Sequence, residues 1–166
     1  MTLQPIAVDD MAAARYIHAS AFERTAAAFY APEDIAAMRA FVRSPLYSDL
    51  LLGNHATAGF IGGGMVGTAV WSPGLVRGPT ARILAINVHP LFMGEGIGRR
   101  LLDDIELQSR SAGFGALEVA ATLNSAGFFE GSGFRLVRKG GWTLPLGHEL
   151  EVAYMRKAEF NWPGTR

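Results

Sequence analysis

Apolar and polar positions along this chain change period many times, and each change marks a boundary between elements. Leu3 to Val8 predict a short first strand, after which Asp9 or Asp10 can cap an alanine-rich helix through Met11 to Phe22. Pro32 and Glu33 open a second helix, to Val42, in which Ile35, Met38 and Val42 recur at helical spacing as one buried stripe. Ser44-Pro45 ends it. The period then shortens to two: Ala56 to Ile61 and Met65 to Trp71 read as strands joined by Gly62-Gly63-Gly64, an antiparallel hairpin signal.

Ser72 to Thr80 is a loop, and Arg82 to Val88 is apolar on both faces, as a central strand should be. Pro90 prevents its continuation. From Gly96 a helix carries Ile97, Leu101 and Ile105 inward and Asp103, Asp104, Glu106 and Arg110 outward, and Gly113 stops it. Ala116 to Ala121, a short helix from Asn124 to Glu130, Phe134 to Arg138 and Glu151 to Arg156 complete the order. The fold class is α/β (α+β), with a mixed central sheet of about six to seven strands, flanked by helices. Residues 1–157 are expected to form a single domain, followed by a tail, 158–166.

Between the central strand and its helix runs Val88-His89-Pro90-Leu91-Phe92-Met93-Gly94-Glu95-Gly96-Ile97-Gly98-Arg99. Glycines at 94, 96 and 98 let a ligand approach the backbone, and the first N–H groups of the helix lack intrahelical partners. With the positive end of the helix dipole, they favour an anion such as a phosphate. His89 reads as a loop residue beside Pro90, not as a catalyst.

Charge keeps that recognition local. The 15 basic and 15 acidic side chains cancel, which argues against nucleic acid or a membrane surface as partner. The chain has no cysteine, so disulfides, thiolate metal sites and a cysteine nucleophile are excluded. No metal site is expected. The first residues lack the basic head and apolar run of a signal peptide, and no segment reaches about 18 uninterrupted apolar residues, so a cytoplasmic location is the expectation.

Two familiar phosphate loops fit poorly. A Walker-type loop needs Gly-Lys-Ser/Thr, which is missing here. A dinucleotide fingerprint needs glycine at 99, where Arg99 stands, and starts at the strand end, whereas His89 to Met93 intervene. Met93-Gly94-Glu95-Gly96-Ile97-Gly98, after a strand and Val88-His89-Pro90, instead resembles motif A of the GNAT N-acetyltransferase superfamily. Leu117-Glu118-Val119 followed by Asn124-Ser125-Ala126-Gly127-Phe128-Phe129-Glu130-Gly131-Ser132-Gly133-Phe134 resembles its motif B, and the element order of residues 1–157 agrees.

The resemblance implies an acyltransferase that moves acetyl from acetyl-CoA, its acyl-donor cosubstrate, to a primary amine of a small molecule or peptide. It implies two central parallel strands splayed apart around the coenzyme. Backbone N–H groups over Met93, Gly94, Glu95, Gly96, Ile97, Gly98 and Arg99 would hold the pyrophosphate, and the edge of Ile86, Asn87 and Val88 would pair with the pantetheine amides. Asn124 would fix the pantetheine arm, though it also suits a plain helix cap. Phe128 and Phe129 would wall the channel, with at least one of them also serving the core.

Three departures follow from the same comparison. Met93 and Glu95 stand where the family often carries cations, so Glu95 should face solvent and Arg99 or Arg100, helped by Arg77 or Arg82, should compensate. Phe129 stands where many relatives have a proton-donating tyrosine. Tyr154, Tyr30 and Ser125 are the candidate substitutes, and Glu23, His18 and Glu118 the candidate bases. Phe22, Phe29 and Tyr30 are expected on the acceptor side. Two other readings stay open: a CoA-binding sensor or inactive relative, and a homodimeric interaction module using edge strands and the apolar tail Phe160-Asn161-Trp162.

Overall fold

The computed structural model describes residues 1–74 and 78–158. Arg77 and the Phe160-Asn161-Trp162 tail lie outside the described residues. In chain order the elements are β1 (Thr2–Pro5), α1 (Met11–Ala26), α2 (Pro32–Arg43), α3 (Pro45–Leu52), β2 (His55–Ile61), β3 (Gly64–Ser72), β4 (Thr80–Val88), α4 (Ile97–Ser111), β5 (Ala116–Thr122), α5 (Ala126–Gly131), β6 (Arg135–Thr143) and β7 (Glu149–Lys157). One seven-stranded sheet has the order β1-β2-β3-β4-β5-β7-β6, and β4 with β5 is its parallel pair.

Helices cover both faces. One core gathers Ile97, Leu101, Leu102 and Ile105 of α4 and Phe129 of α5 against Ala69, Trp71, Ile83, Val119 and Met155. The other gathers Phe22, Met38, Val42 and Leu51 of the first three helices against Val70, Leu150 and Val152. Alternate residues of each inner strand therefore face alternate cores, which is why β4 reads as apolar throughout.

The hairpin turns at Gly62 and Gly63, whose φ values of 58° and 80° are both positive, as a primed two-residue turn demands. Three elements differ from the sequence reading. Ser44-Pro45 ends α2, but Pro45 also begins α3, because the extended Ser44 (ψ 159°) separates two helices and proline suits a first helical turn. The first strand stops at Pro5, and the chain tightens into a single 3₁₀ turn over Val8–Asp10, with the Asp10 carboxylate accepting from Ala7 N–H at 2.8 Å. β6 continues through Gly140 and Gly141 to Thr143, since β7 supplies partners that offset the weak strand preference of glycine.

The central parallel strands separate. They pair from Thr80↔Ala116 to Ile83↔Val119 and no further, while β4 keeps its pairing with β3 as far as Val88↔Gly67 and β5 keeps β7 as far as Thr122↔Val152. An extra residue in β4, Leu84, shifts its register against β3 between Val70 and Trp71, and such a bulge bends the strand. The expected splay is present, opening toward the carboxyl ends of β4 and β5.

Gly67 sets how closely α4 lies on β3: a Cβ there would stand 2.8 Å from Leu101 Cδ1 and 2.9 Å from the Asn87 carbonyl oxygen. Gly67→Ala is expected to lower stability by about 1–3 kcal/mol, as overpacked core sites do, seen as a lower urea midpoint at unchanged slope.

Candidate active site

The open ends of β4 and β5 meet the start of α4. His89 N–H donates to Val66 O at 2.8 Å, and Pro90–Phe92 then form a 3₁₀ turn in which the His89 Nδ1 accepts from Leu91 N–H at 3.1 Å. Gly94 and Gly96 follow at φ values of 83° and 81°. Both are left-handed, and a Cβ on either would meet nothing within 4 Å, so the space beside them is clear. Gly98 has another purpose. A Cβ there would lie 3.2 Å from Phe128 Cε2 and 3.6 Å from Val88 Cγ2, so its bareness lets α5 pack across the helix start.

No side chain caps α4, and its first intrahelical bond is from Arg100 N–H to Gly96 O at 3.2 Å. The N–H groups of Ile97, Gly98 and Arg99 thus precede any helical acceptor, at the positive end of a 15-residue helix. Side-chain cations add little. Arg99 Nε is bonded to Asp103 Oδ1 at 3.0 Å, and Arg100 reaches Met1 O at 3.3 Å. Arg82, offered as a phosphate partner from sequence, pairs instead with Glu118 at 3.2 Å, where β4 and β5 are still joined. Glu95 is exposed, as expected, and Met93 is 36% exposed.

Beyond Ile83 the edge of β4 that faces β5, including Ile86, Asn87 and Val88, has no strand partner. On the opposite side of the split, Asn124 Nδ2 donates to Thr25 Oγ1 at 2.8 Å, and Thr25 in turn donates to Ala21 O. That leaves Asn124 Oδ1 buried and without a partner. A split sheet, an uncapped helix start opened by glycines and an unsatisfied amide oxygen therefore lie at the same end of the β4–β5 pair.

The sequence model of the acetyltransferase (GNAT) family matches residues 12–134. The chain belongs to that family. Among solved structures it resembles a GCN5-related N-acetyltransferase (aminotransferase, class-II) from Rhodopseudomonas palustris, at 26% identity and TM-score 0.83, covering 95% of this chain and 94% of that one. It also resembles the PaiA N-acetyltransferase from Thermoplasma acidophilum in complex with coenzyme A (16% identity, TM-score 0.78, 95% and 98% covered). A GNAT family acetyltransferase from Brucella melitensis in complex with acetyl-CoA shares the fold at 18% identity and TM-score 0.63, with 99% and 90% covered. No curated protein matches the chain.

In this GNAT chain the candidate proton carriers are mostly committed elsewhere. The Tyr30 hydroxyl donates to Glu151 O at 2.6 Å and accepts from Leu123 N–H at 2.9 Å, tying the α1–α2 connection to β7 and to the end of β5. Burial raises its pKa, partly offset by that Leu123 bond. The Tyr154 hydroxyl donates to Gly141 O at 2.7 Å, under a stacked Arg138 guanidinium. Ser125 closes its own turn onto Thr122 O at 2.9 Å. Phe129 is 4% exposed, with ring centres 5.1 Å from Phe128 and 5.2 Å from Phe134. It is a core residue, and Phe128 alone of the pair reaches the loop.

The candidate bases are similarly placed. His18 is buried, its Nδ1 3.1 Å from the Tyr47 hydroxyl, and burial lowers its pKa to about 4. Glu23 pairs with Arg39, and Glu118 with Arg82. Of the acceptor-side aromatics, Phe22 packs in the core against the Tyr30 ring at 5.7 Å, while Phe29 is exposed. Thr25, which orients Asn124, was not anticipated, because its partner lies 99 residues away and no local pattern announces it.

His18 makes stability depend on pH. Its folded pKa lies below the unfolded value of 6.5, so the unfolded chain takes up the proton first as pH falls. Stability should be full above pH 6.5, decline by up to about 3 kcal/mol between pH 6.5 and about 4, and gain no further slope from this group below that. Urea unfolding across this range should lose that component in His18→Leu. Tyr30→Phe should destabilise the fold by about 1–3 kcal/mol, because the Leu123 N–H loses its acceptor. An acid role would instead show as a fall in turnover at unchanged stability.

Proposed function

We propose that this chain transfers acetyl from acetyl-CoA to a primary amine of a small molecule or peptide. The observation that carries the reading is the parting of β4 from β5 directly in front of the uncapped, glycine-opened start of α4. The coenzyme-bound relatives of the same fold support it.

In this reading the backbone N–H groups from Gly94 to Arg99 bind the pyrophosphate, with the exposed Arg99–Asp103 pair weak enough to release Arg99 toward it. The unpaired edge of Ile86, Asn87 and Val88 receives the pantetheine amides, and Asn124 Oδ1 accepts from the arm's amide N–H or hydroxyl. Phe128 borders the channel. Acetyl-CoA supplies an activated acyl group with a thiolate leaving group. A neutral amine attacks the carbonyl carbon, the C–S bond breaks, and the amine proton passes to water. The residues align the two groups and offer a backbone N–H near Val88 to the oxyanion. A thiol's ordinary pKa is about 8.5, so the sulfur can depart near neutral pH without the acid that Phe129 lacks.

The commitment of Tyr30, Tyr154 and Ser125 to other partners favours, as a second reading, a chain that binds coenzyme without transfer. A cytoplasmic enzyme able to form a homodimer completes the primary proposal. β6 is an edge strand that exposes Leu136 and Val137, which suits pairing of two copies.

Calorimetric titration with acetyl-CoA, followed by a panel of primary amines read by thiol release, separates these readings. Binding with turnover supports the transferase, binding without turnover on any amine supports the sensor, and no binding supports the interaction module. Gly96→Ala should weaken acetyl-CoA binding by about tenfold, since forcing a Cβ into the left-handed region costs roughly 1–2 kcal/mol.

A further inference from the structure

Two side-chain polar atoms of the described residues are buried with no hydrogen-bond partner, Asn124 Oδ1 and Asn87 Nδ2. Such orphans cost about 1–3 kcal/mol each and are rare, so each calls for a missing partner. Both stand at the mouth of the split. The parallel register ends at Ile83↔Val119; Asn87 lies beyond that point on β4, and Asn124 follows the end of β5. Asn124 Oδ1 is accounted for by the proposed pantetheine arm. Asn87 Nδ2 is not.

The face on which Asn87 sits identifies its partner. It lies opposite Thr68, and the same face of the sheet carries Val70, which packs into the core beneath the first three helices. Its neighbours Ile86 and Val88 pack into the other core, beneath α4. That second face is closed to an incoming molecule, because α4 rests on Gly67 through Leu101 and Phe128 closes on Gly98. An amine that attacks a thioester held along the β4 edge must therefore come from the α1 face, past the Asn87 amide.

We infer that Asn87 selects the acyl acceptor, its side-chain N–H donating to a neutral carbonyl oxygen that the acceptor carries next to its amine, as in an amino-acid amide or a peptide N-terminus. The inference rests on the proposed transfer from acetyl-CoA. A neutral carbonyl is preferred to a carboxylate because, of the two arginines of α1, Arg15 is taken up by Val42 O, Ser44 O and Ser48 Oγ, and Arg24 is exposed in the last turn. His18 on the same helix is buried against Tyr47 and uncharged at neutral pH.

A matched pair of acceptors tests this: phenylalanine amide and phenethylamine, which differ only in the carboxamide. With acetyl-CoA, the wild type should favour phenylalanine amide by about tenfold or more in kcat/KM, the value of one good hydrogen bond. Asn87→Ala and the near-isosteric Asn87→Asp, which has no N–H to donate, should both lower that ratio by about tenfold from its wild-type value, whatever part of it comes from the weaker basicity of the amide's amine. Calorimetry with acetyl-CoA on each folded variant provides the control. No preference in the wild type, or a preference that both substitutions leave undiminished, overturns the inference. So does a loss of acetyl-CoA affinity with the ratio intact, which would assign the amide to the coenzyme. If neither amine is acylated while acetyl-CoA still binds, the acceptor assignment fails and the coenzyme site stands.

Discussion

The parting of two parallel strands governs this structure. A sheet gains most from complete pairing, and β4 and β5 give up theirs after Ile83↔Val119. The cost is contained because each strand keeps its outer neighbour, β3 for β4 and β7 for β5, to the end of its length. Only the inward-facing edges lose partners. The extra residue at Leu84 bends β4 without unfolding it, so the departure from regular pairing is confined to the space between two otherwise ordinary half-sheets.

The remaining elements hold that space open and shape its ends. α4 is fixed against β3 by the absence of a side chain at Gly67, which places the free N–H groups of its first turn at the mouth. Tyr30 joins the α1–α2 connection to both β7 and the end of β5 through one hydroxyl, and Thr25 holds the amide of Asn124. The β5 side of the split is thus tied to α1 and to the α1–α2 connection, while α5 and its phenylalanines pack on the opposite face. Polar groups that would otherwise serve as acids or bases are used as fasteners.

Much of this was legible in the sequence because it is local. The Gly62-Gly63 turn, the strand stopped by Pro90 and the helix restarted after Gly96 are each specified by a few adjacent residues whose backbone preferences leave little choice. α3 was missed because Pro45 is compatible with ending one helix and with starting another, and only the extended Ser44 decides between them. The extension of β6 depends on β7 and so on residues outside its own window. The fastening by Tyr30 joins positions 93 and 121 residues apart, and no spacing rule reaches that far. Arg82 was misread for the same reason: its partner, Glu118, becomes its neighbour only when two separate strands align.

The burial of Phe129 limits what a substitution at that position can do. A phenol placed at that position would enter an apolar cluster bounded by Phe128 and Phe134, where a buried hydroxyl is costly unless it finds a partner. Phe129→Tyr alone would therefore bury its hydroxyl within this cluster; to expose it, the short helix and its packing would have to change together.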